Sequence, residues 1–389
     1  MSLSHMLSTS AMALDMAKAS GRLLHFESSL ANARQRIAER DSYLNQTLSG
    51  AGRGALASKR LGTFYGGILV LQRIFECPVD LVKTIHVAKQ LDGGKWLCGL
   101  NLVPQHCVVY SLGSNYDASF EQYIQKHVRK PCEVHIYDPT LRVQGDSKLA
   151  AFRETMRESL RATVHEVGLA TSASGGSVQI RLFNQKDRRR WSTNKTDHEM
   201  ASFPAQTLEQ MFASNGHDGR CVDIVKVCRR VLEHWLSVSM PHPPRSLHLP
   251  TIRIPSSMQT TPRDTNGTHR LWCHPSQVDV EGVEGALFRS TQWSRLCIRI
   301  LLVEVHAEQI EKREKQAYTV GELANAIQRL ERAGLMLYSS EVVCGNCNGQ
   351  AELGFVNVTW LRKALTAVDQ FGSASGARGV TGVVARGKE

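Results

Sequence analysis

From Cys107 onward, short apolar runs alternate with stretches whose apolar residues recur every three or four positions. CVVYSL (Cys107 to Leu112) has the unbroken apolar character of a parallel strand buried on both faces. A helix is predicted over Glu121 to Val128, a second strand over Val134 to Tyr137, and an amphipathic helix over Lys148 to Arg161. Thr163 to Leu169 and Val178 to Phe183 are two further strands with a Gly-Gly turn between them. Thr207 to Ser214 is a short helix, and VDIVKV (Val222 to Val227) and IRILLVEVH (Ile298 to His306) are strands. Thr319 to Ala333 is helical, and Leu335 to Val343 pairs with Glu352 to Val358 as a closing hairpin. Strands alternating with helices imply an α/β fold, a parallel sheet covered on both faces, here with an antiparallel edge.

The first hundred residues follow another pattern. Phe26 to Tyr43 reads as an exposed amphipathic helix among alternating charges, and Leu48 to Lys59, rich in Gly, Ala and Ser, as a linker. Leu61 to Gln90 reads as helical, and DGGKWLC (Asp92 to Cys98) as a turn. The expected organisation is an N-terminal extension over residues 1–60, a catalytic domain over 61–365 and a flexible tail over 366–389.

One stretch breaks the rhythm. Cys228 to Val278 spans 51 residues, holds seven of the twelve prolines and has no lysine. A structureless loop of that length is unexpected inside a domain. Joining Val227 to Asp279 gives VDIVKVDVEGVEGALF, a strand running into an acidic, glycine-containing turn and then a helix. The segment reads as an insertion, either a disordered surface loop or an intron retained in the coding sequence.

Composition narrows the classes. The formal charge is +11, but it is dispersed, and its densest cluster, Lys186 to Arg190, lacks the aromatic stack of a single-strand-binding surface. A nucleic-acid partner is not expected. No apolar run reaches the ~18 residues that cross a bilayer. The N-terminus lacks a basic start followed by an apolar stretch, so the expected location is cytoplasmic. Of ten cysteines, Cys107 and Cys297 read as core thiols. Cys344 and Cys347 form one CxxC, better read as a turn with two thiols or a disulfide than as a zinc site. No metal is expected.

Four motifs carry candidate chemistry. In VVYSLGSNYDASFE a strand ends at Gly113 and leads through Ser114 and Asn115 towards a helix, the place where α/β sheets bind ligands. In EVHIYDPT, Asp138 ends the next strand and can accept both hydrogen bonds of a ribose diol, or simply cap a helix. VDVEGVEGALF brings Asp279, Glu281 and Glu284 to the end of a central strand. LLVEVHAE puts Glu304 and His306 on one side of a strand. His306 can serve as base, substrate ligand or structural residue.

Taken in order, SLGSN…SFE, HIYDPT, TLEQM, VDIVKV with DVEGVEG, and LLVEVH resemble the FkbM-like S-adenosylmethionine-dependent methyltransferases. DGGKWLC and CNGQAELGFVN look like flanking motifs of the methyltransferase-like proteins related to them. The resemblance covers residues 75 to 360 with the insertion excised. It implies a Rossmann-like, doubly wound sheet of about seven strands with the last antiparallel, and S-adenosyl-L-methionine as cofactor. By the same carry-over, Gly113, Ser114 and Asn115 line the methionine, Glu121 braces the turn and Asp138 holds the ribose. Gly168 and Leu169 lie near the adenine, at the end of the third strand, and Asp279, Glu281 and His306 serve the acceptor. Members of this family often carry an N-terminal membrane anchor.

The implied activity is O-methylation of a small-molecule or sugar hydroxyl. Two departures stand against it: Tyr116 replaces the glycine usual after the SN turn, and the insertion splits the DVEG junction. They leave open a second reading, a catalytically impaired binding or scaffolding protein. A nicotinamide oxidoreductase would need the full glycine fingerprint, which Tyr116 breaks.

Overall fold

Strands that are apolar on both faces can be buried only between two helical layers, and the computed structural model has that arrangement. It describes residues 3–49, 73–78, 81–85, 95–114, 116–170, 176–182, 199–227, 287–288, 290–306, 320–342 and 350–377, and structural statements refer to these. The elements begin with α1 (Leu3–Ser49), β1 (Val82–Ile85), β2 (Lys95–Cys98), β3 (Val108–Leu112), α2 (Ser119–His127) and β4 (Glu133–Tyr137). There follow α3 (Asp146–Leu160), β5 (Ala162–His165), β6 (Gly168–Leu169), β7 (Gly176–Leu182), β8 (Glu199–Gln206), α4 (Leu208–Ser214) and β9 (Val222–Val227). The last are β10 (Ile298–His306), α5 (Val320–Arg332), β11 (Leu335–Val342), β12 (Gln350–Asn357) and α6 (Val358–Ala377).

Seven strands form the main sheet in the order β11-β12-β10-β9-β3-β4-β5. The five from β10 to β5 run parallel, and β12 is antiparallel to both neighbours. The doubly wound α/β expectation therefore holds, with the last strand, β12, antiparallel as expected; it lies one place in from the edge, which β11 forms.

The two-residue period of each strand sorts its side chains into two cores. On one face Tyr110, Leu112, Val225, Leu301 and Val303 pack with Leu208 and Met211 of α4 and Leu323 and Ile327 of α5. On the other, Val109, Val134, Ile136, Ile224 and Ile300 meet Phe120 and Ile124 of α2 and Leu149, Phe152, Met156 and Leu160 of α3. The α3 residues recur at three- and four-residue spacing, so one stripe of that helix faces the sheet. In α4 the start is set by a capping box, with Thr207 Oγ1 accepting from Gln210 N–H and Gln210 Oε1 accepting from Thr207 N–H.

Several expectations are corrected. α1 is not a free exposed helix: Phe26, Leu30 and Ala33 are buried against Phe75, Val356, Leu361 and Leu365. The stripe ends in Arg40, whose guanidinium forks onto both oxygens of Glu331 at 2.8 and 2.7 Å, with both side chains buried. Within Leu61 to Gln90, Val82–Ile85 is a strand, and it pairs antiparallel with Lys95–Cys98 of the expected turn. Thr163 to Leu169 splits, β5 joining the main sheet while β6 joins a three-stranded sheet ordered β6-β8-β7. β8 escapes the sequence pattern because Pro204, opposite Ser177, interrupts it; a proline ordinarily argues against a central strand.

Cys107 and Cys297 are not free thiols. Disulfides join Cys77 to Cys98, Cys107 to Cys132 and Cys221 to Cys297. The insertion and the CxxC lie outside the described residues.

Candidate functional site

From β3 the chain steps outward to β4 and β5; from β9 it steps the other way to β10. Between β3 and β9 the winding reverses, the point at which open α/β sheets hold their ligand crevice, outside the carboxyl ends of the strands. The register aligns these ends: Leu112 lies opposite both Tyr137 and Val227, Tyr137 opposite His165, and Val227 opposite Val303.

Gly113 leaves β3 at φ 83°, a left-handed conformation suited to glycine, and its N–H donates to the Tyr137 carbonyl at 2.9 Å. Ser114 is buried, its Oγ has no hydrogen-bond partner among the described residues, and its carbonyl accepts from Asp117 N–H at 2.9 Å. Asp117 Oδ1 accepts from Ser119 N–H at 2.9 Å as α2 begins. On the first turn of α2, Glu121 is fully buried, and neither carboxylate oxygen has a hydrogen-bond partner among the described residues. Its counter-charge is Lys226 of β9, with Nζ 3.7 Å from Oε1. The same ammonium donates to Ser111 Oγ at 3.3 Å and lies 5.1 Å from the centre of the Phe120 ring.

Asp138 ends β4 beside this turn and is 3% exposed. Its Oδ1 accepts from Thr140 N–H at 2.9 Å and Thr140 Oγ1 at 2.6 Å, capping a 3-10 turn over Pro139–Gln144. Tyr116 bridges the two loops. At φ 64° it occupies left-handed space, its hydroxyl donates to the Leu141 carbonyl, and its ring meets Phe152 edge-on at 5.0 Å. Lys148 Nζ lies 4.2 Å from the ring centre. Burial, with the nearby negative charges of Asp138 and Glu166, pushes the phenol above its usual pKa.

A comparison with protein families matches the methyltransferase domain over residues 70–269, more than half of the chain. The chain belongs to this methyltransferase-domain family. No curated protein matches. A seven-stranded, doubly wound sheet with one antiparallel strand is consistent with the Rossmann-like fold of such domains.

The other expected site residues are spread more widely. Gly168 and Leu169 do not end the third strand but form β6, pairing with Ala205 and Gln206. Gly168 nevertheless stays beside the Asp138 loop: an added Cβ would lie 3.3 Å from Pro139 Cγ and 2.7 Å from Val178 Cγ1. His306 is the last residue of β10, three residues past Val303, at the same edge of the sheet as the crevice. Asn115, Asp279 and Glu281 lie outside the described residues, as does the side chain of His306. Just after the DVEG stretch, Leu287 and Phe288 are buried in the core beside α5.

Three motifs that are distant in sequence also converge. Lys95 of DGGKWLC forms a buried ion pair with Glu352 of AELGFVN, and Glu352 lies opposite Glu304 of LLVEVH in the strand register. Sequence reasoning passed over Lys226. Its signal was there: a single lysine inside the apolar run VDIVKV must be paired once both faces of the strand are covered.

Among the described residues no helix is long and apolar enough to cross a membrane.

Proposed function

We propose that this chain is an FkbM-like, S-adenosyl-L-methionine-dependent methyltransferase that O-methylates a small-molecule or sugar hydroxyl. One observation carries the reading: in a methyltransferase domain, the Gly113 turn and Asp138 end adjacent parallel strands at the reversal point of the sheet. The residues there suit an adenosyl sulfonium. Ser114 Oγ and both Glu121 oxygens retain hydrogen-bonding capacity, and acidic groups favour a cation.

In this reading Gly113, Ser114 and Asn115 line the methionine portion, and Glu121, held by Lys226, braces their turn. Asp138 receives the ribose hydroxyls, with Thr140 fixing its carboxylate, and Gly168 and Leu169 border the adenine. Bound there, the cofactor supplies an electrophilic methyl group on sulfur. Asp279, Glu281 and His306 would orient the acceptor hydroxyl, and one of them would accept its proton. Most of the acceleration then comes from alignment in a water-poor crevice.

Three disulfides also favour an oxidising compartment over the cytoplasm.

A second reading, a methyltransferase fold kept as a binding or scaffolding module, is favoured by Tyr116, which ties the Gly113 loop to the Leu141 turn beside Asp138. Isothermal titration of the full oxidised chain with S-adenosylhomocysteine separates the two. Saturable binding in the micromolar range supports the first; no heat at high micromolar ligand, on folded protein, supports the second.

A further inference from the structure

At the amino-terminal end of β4, two buried histidines aim at one carboxylate. Glu133 opens β4 with its side chain 51% exposed, whereas His135 and His217 are 5% and 2% exposed. Nε2 of His135 lies 3.0 Å from Glu133 Oε1, and Nε2 of His217 lies 3.3 Å from Oε2. One ligand atom from each of the three falls within 4.8 Å of the others. Ligands at about 2.0–2.2 Å around a tetrahedral ion are separated by roughly 3.3 Å; the two imidazole–carboxylate spacings already match, and the three atoms close on a cation once the widest spacing contracts.

The far nitrogens are held as well. His135 Nδ1 is 3.1 Å from His165 Nε2, and His217 Nδ1 is 2.8 Å from the Tyr110 hydroxyl. Metal-bound imidazoles need such partners to fix the tautomer and the ring plane. The proton inventory closes in both states. Without a cation, each Nε2–H donates to Glu133, while Nδ1 accepts from His165 or Tyr110. With one, each proton resides on Nδ1: His135 donates to His165 Nε2, whose own proton shifts to the His165 Nδ1, and His217 donates to the Tyr110 oxygen. The Tyr110 hydroxyl then donates to the Met211 carbonyl, 3.3 Å away. No ligand has to ionise further.

Both ligand-bearing segments are pinned covalently. Cys132, next to Glu133, is bonded to Cys107, and Cys221, four residues after His217, is bonded to Cys297. Such anchoring lowers the ordering cost of a site assembled from distant segments.

We propose that Glu133, His135 and His217 form a binding site for one first-row divalent cation, zinc foremost, with the remaining coordination position open to solvent beside the exposed carboxylate. Two imidazoles and one carboxylate are a ligand set typical of such ions, whereas calcium and magnesium prefer oxygen alone. The site would clamp the His217 segment to β4. It needs neither cofactor nor methyl transfer.

The test uses the full oxidised chain stripped with EDTA, titrated with Zn²⁺ against a chromophoric chelator, with X-ray absorption at the zinc edge. The expected result is one equivalent bound through nitrogen and oxygen only, including two imidazoles. Glu133→Gln and His217→Gln should each weaken binding at least ~10-fold. Should His217→Gln misfold, Glu133→Gln decides, because its side chain is half exposed. No uptake by the wild-type chain, sulfur bound to the zinc (placing the ion on cysteines instead), or unchanged affinity in Glu133→Gln would each overturn the proposal.

Discussion

Replacing Tyr116 tests how the crevice opens. The ring is held by three contacts: edge-on packing with Phe152 at 5.0 Å, Lys148 at 4.2 Å, and the hydroxyl on the Leu141 carbonyl. Typical values of ~0.5–1.5 kcal/mol for the aromatic pair, ~0.5–1 for the cation and ~0.5–1.5 for the hydrogen bond give about 2–3 kcal/mol. If cofactor entry requires the ring to leave, an opening cost of about 2 kcal/mol weakens the apparent affinity roughly 30-fold. Tyr116→Gly should recover that factor for S-adenosylhomocysteine, and Tyr116→Phe, which loses only the hydrogen bond, about 5-fold. The effect on stability is smaller. Relief of a left-handed non-glycine residue, ~1–2 kcal/mol, offsets much of the lost packing, while glycine costs ~0.5–1 in backbone entropy. A net loss of about 1–2 kcal/mol is expected. Titration calorimetry and urea denaturation on the same preparations read both quantities. A folded Tyr116→Gly protein with wild-type affinity would refute the idea that the ring obstructs the cofactor; weakened binding would make Tyr116 part of the site.

Three other outcomes follow from the packing. Arg40→Ala leaves Glu331 buried without its partner and should cost about 3–5 kcal/mol in urea denaturation, while Arg40→Met with Glu331→Met recovers most of it. A cost below ~1 kcal/mol would mean that α1 does not dock as described. Cys221→Ser opens a loop closed across 76 residues, for which chain entropy predicts a loss of about 3–5 kcal/mol. Non-reducing peptide mapping that finds Cys221 and Cys297 as thiols would contradict the pairing. Burial, with repulsion from His135 and Arg153, pushes His165 down to about 4. Because the folded value lies below the unfolded one of about 6.5, its contribution is complete above pH 6.5 and is lost as pH falls towards 4. For this partly exposed ring the contribution is on the order of 1–2 kcal/mol after solvent screening. Glu133 adds in the same direction at lower pH: burial raises its carboxyl, but the hydrogen bonds and charges of His135 and His217 hold it below its usual value. His165→Gln in EDTA buffer should flatten the stability profile between pH 4 and 6.5; an unchanged slope would show that His165 is not buried as a neutral ring.

Local pattern determined much of this protein. Parallel strands covered on both faces are apolar over most of their length, so VVYSL, VDIVKV and IRILLVEVH were legible, and the spacing of Leu149, Phe152, Met156 and Leu160 marked a helix face. The Gly113 turn and Asp138 were legible for the same reason, since each closes a strand whose end the pattern defines.

Tertiary structure decided what depends on a partner distant in sequence. The narrow stripe of α1 gains meaning only from the surface formed by β12 and α6, and β8 forms despite Pro204 because β6 and β7 flank it. Pairings between cysteines 21, 25 and 76 positions apart leave no local periodicity. Nor does spacing reveal that His217 returns to Glu133, or that Lys226 lies under Glu121. Period and propensity act over a few residues. Charge pairing, covalent closure and ligand geometry arise only when folding brings separate segments within a few ångströms.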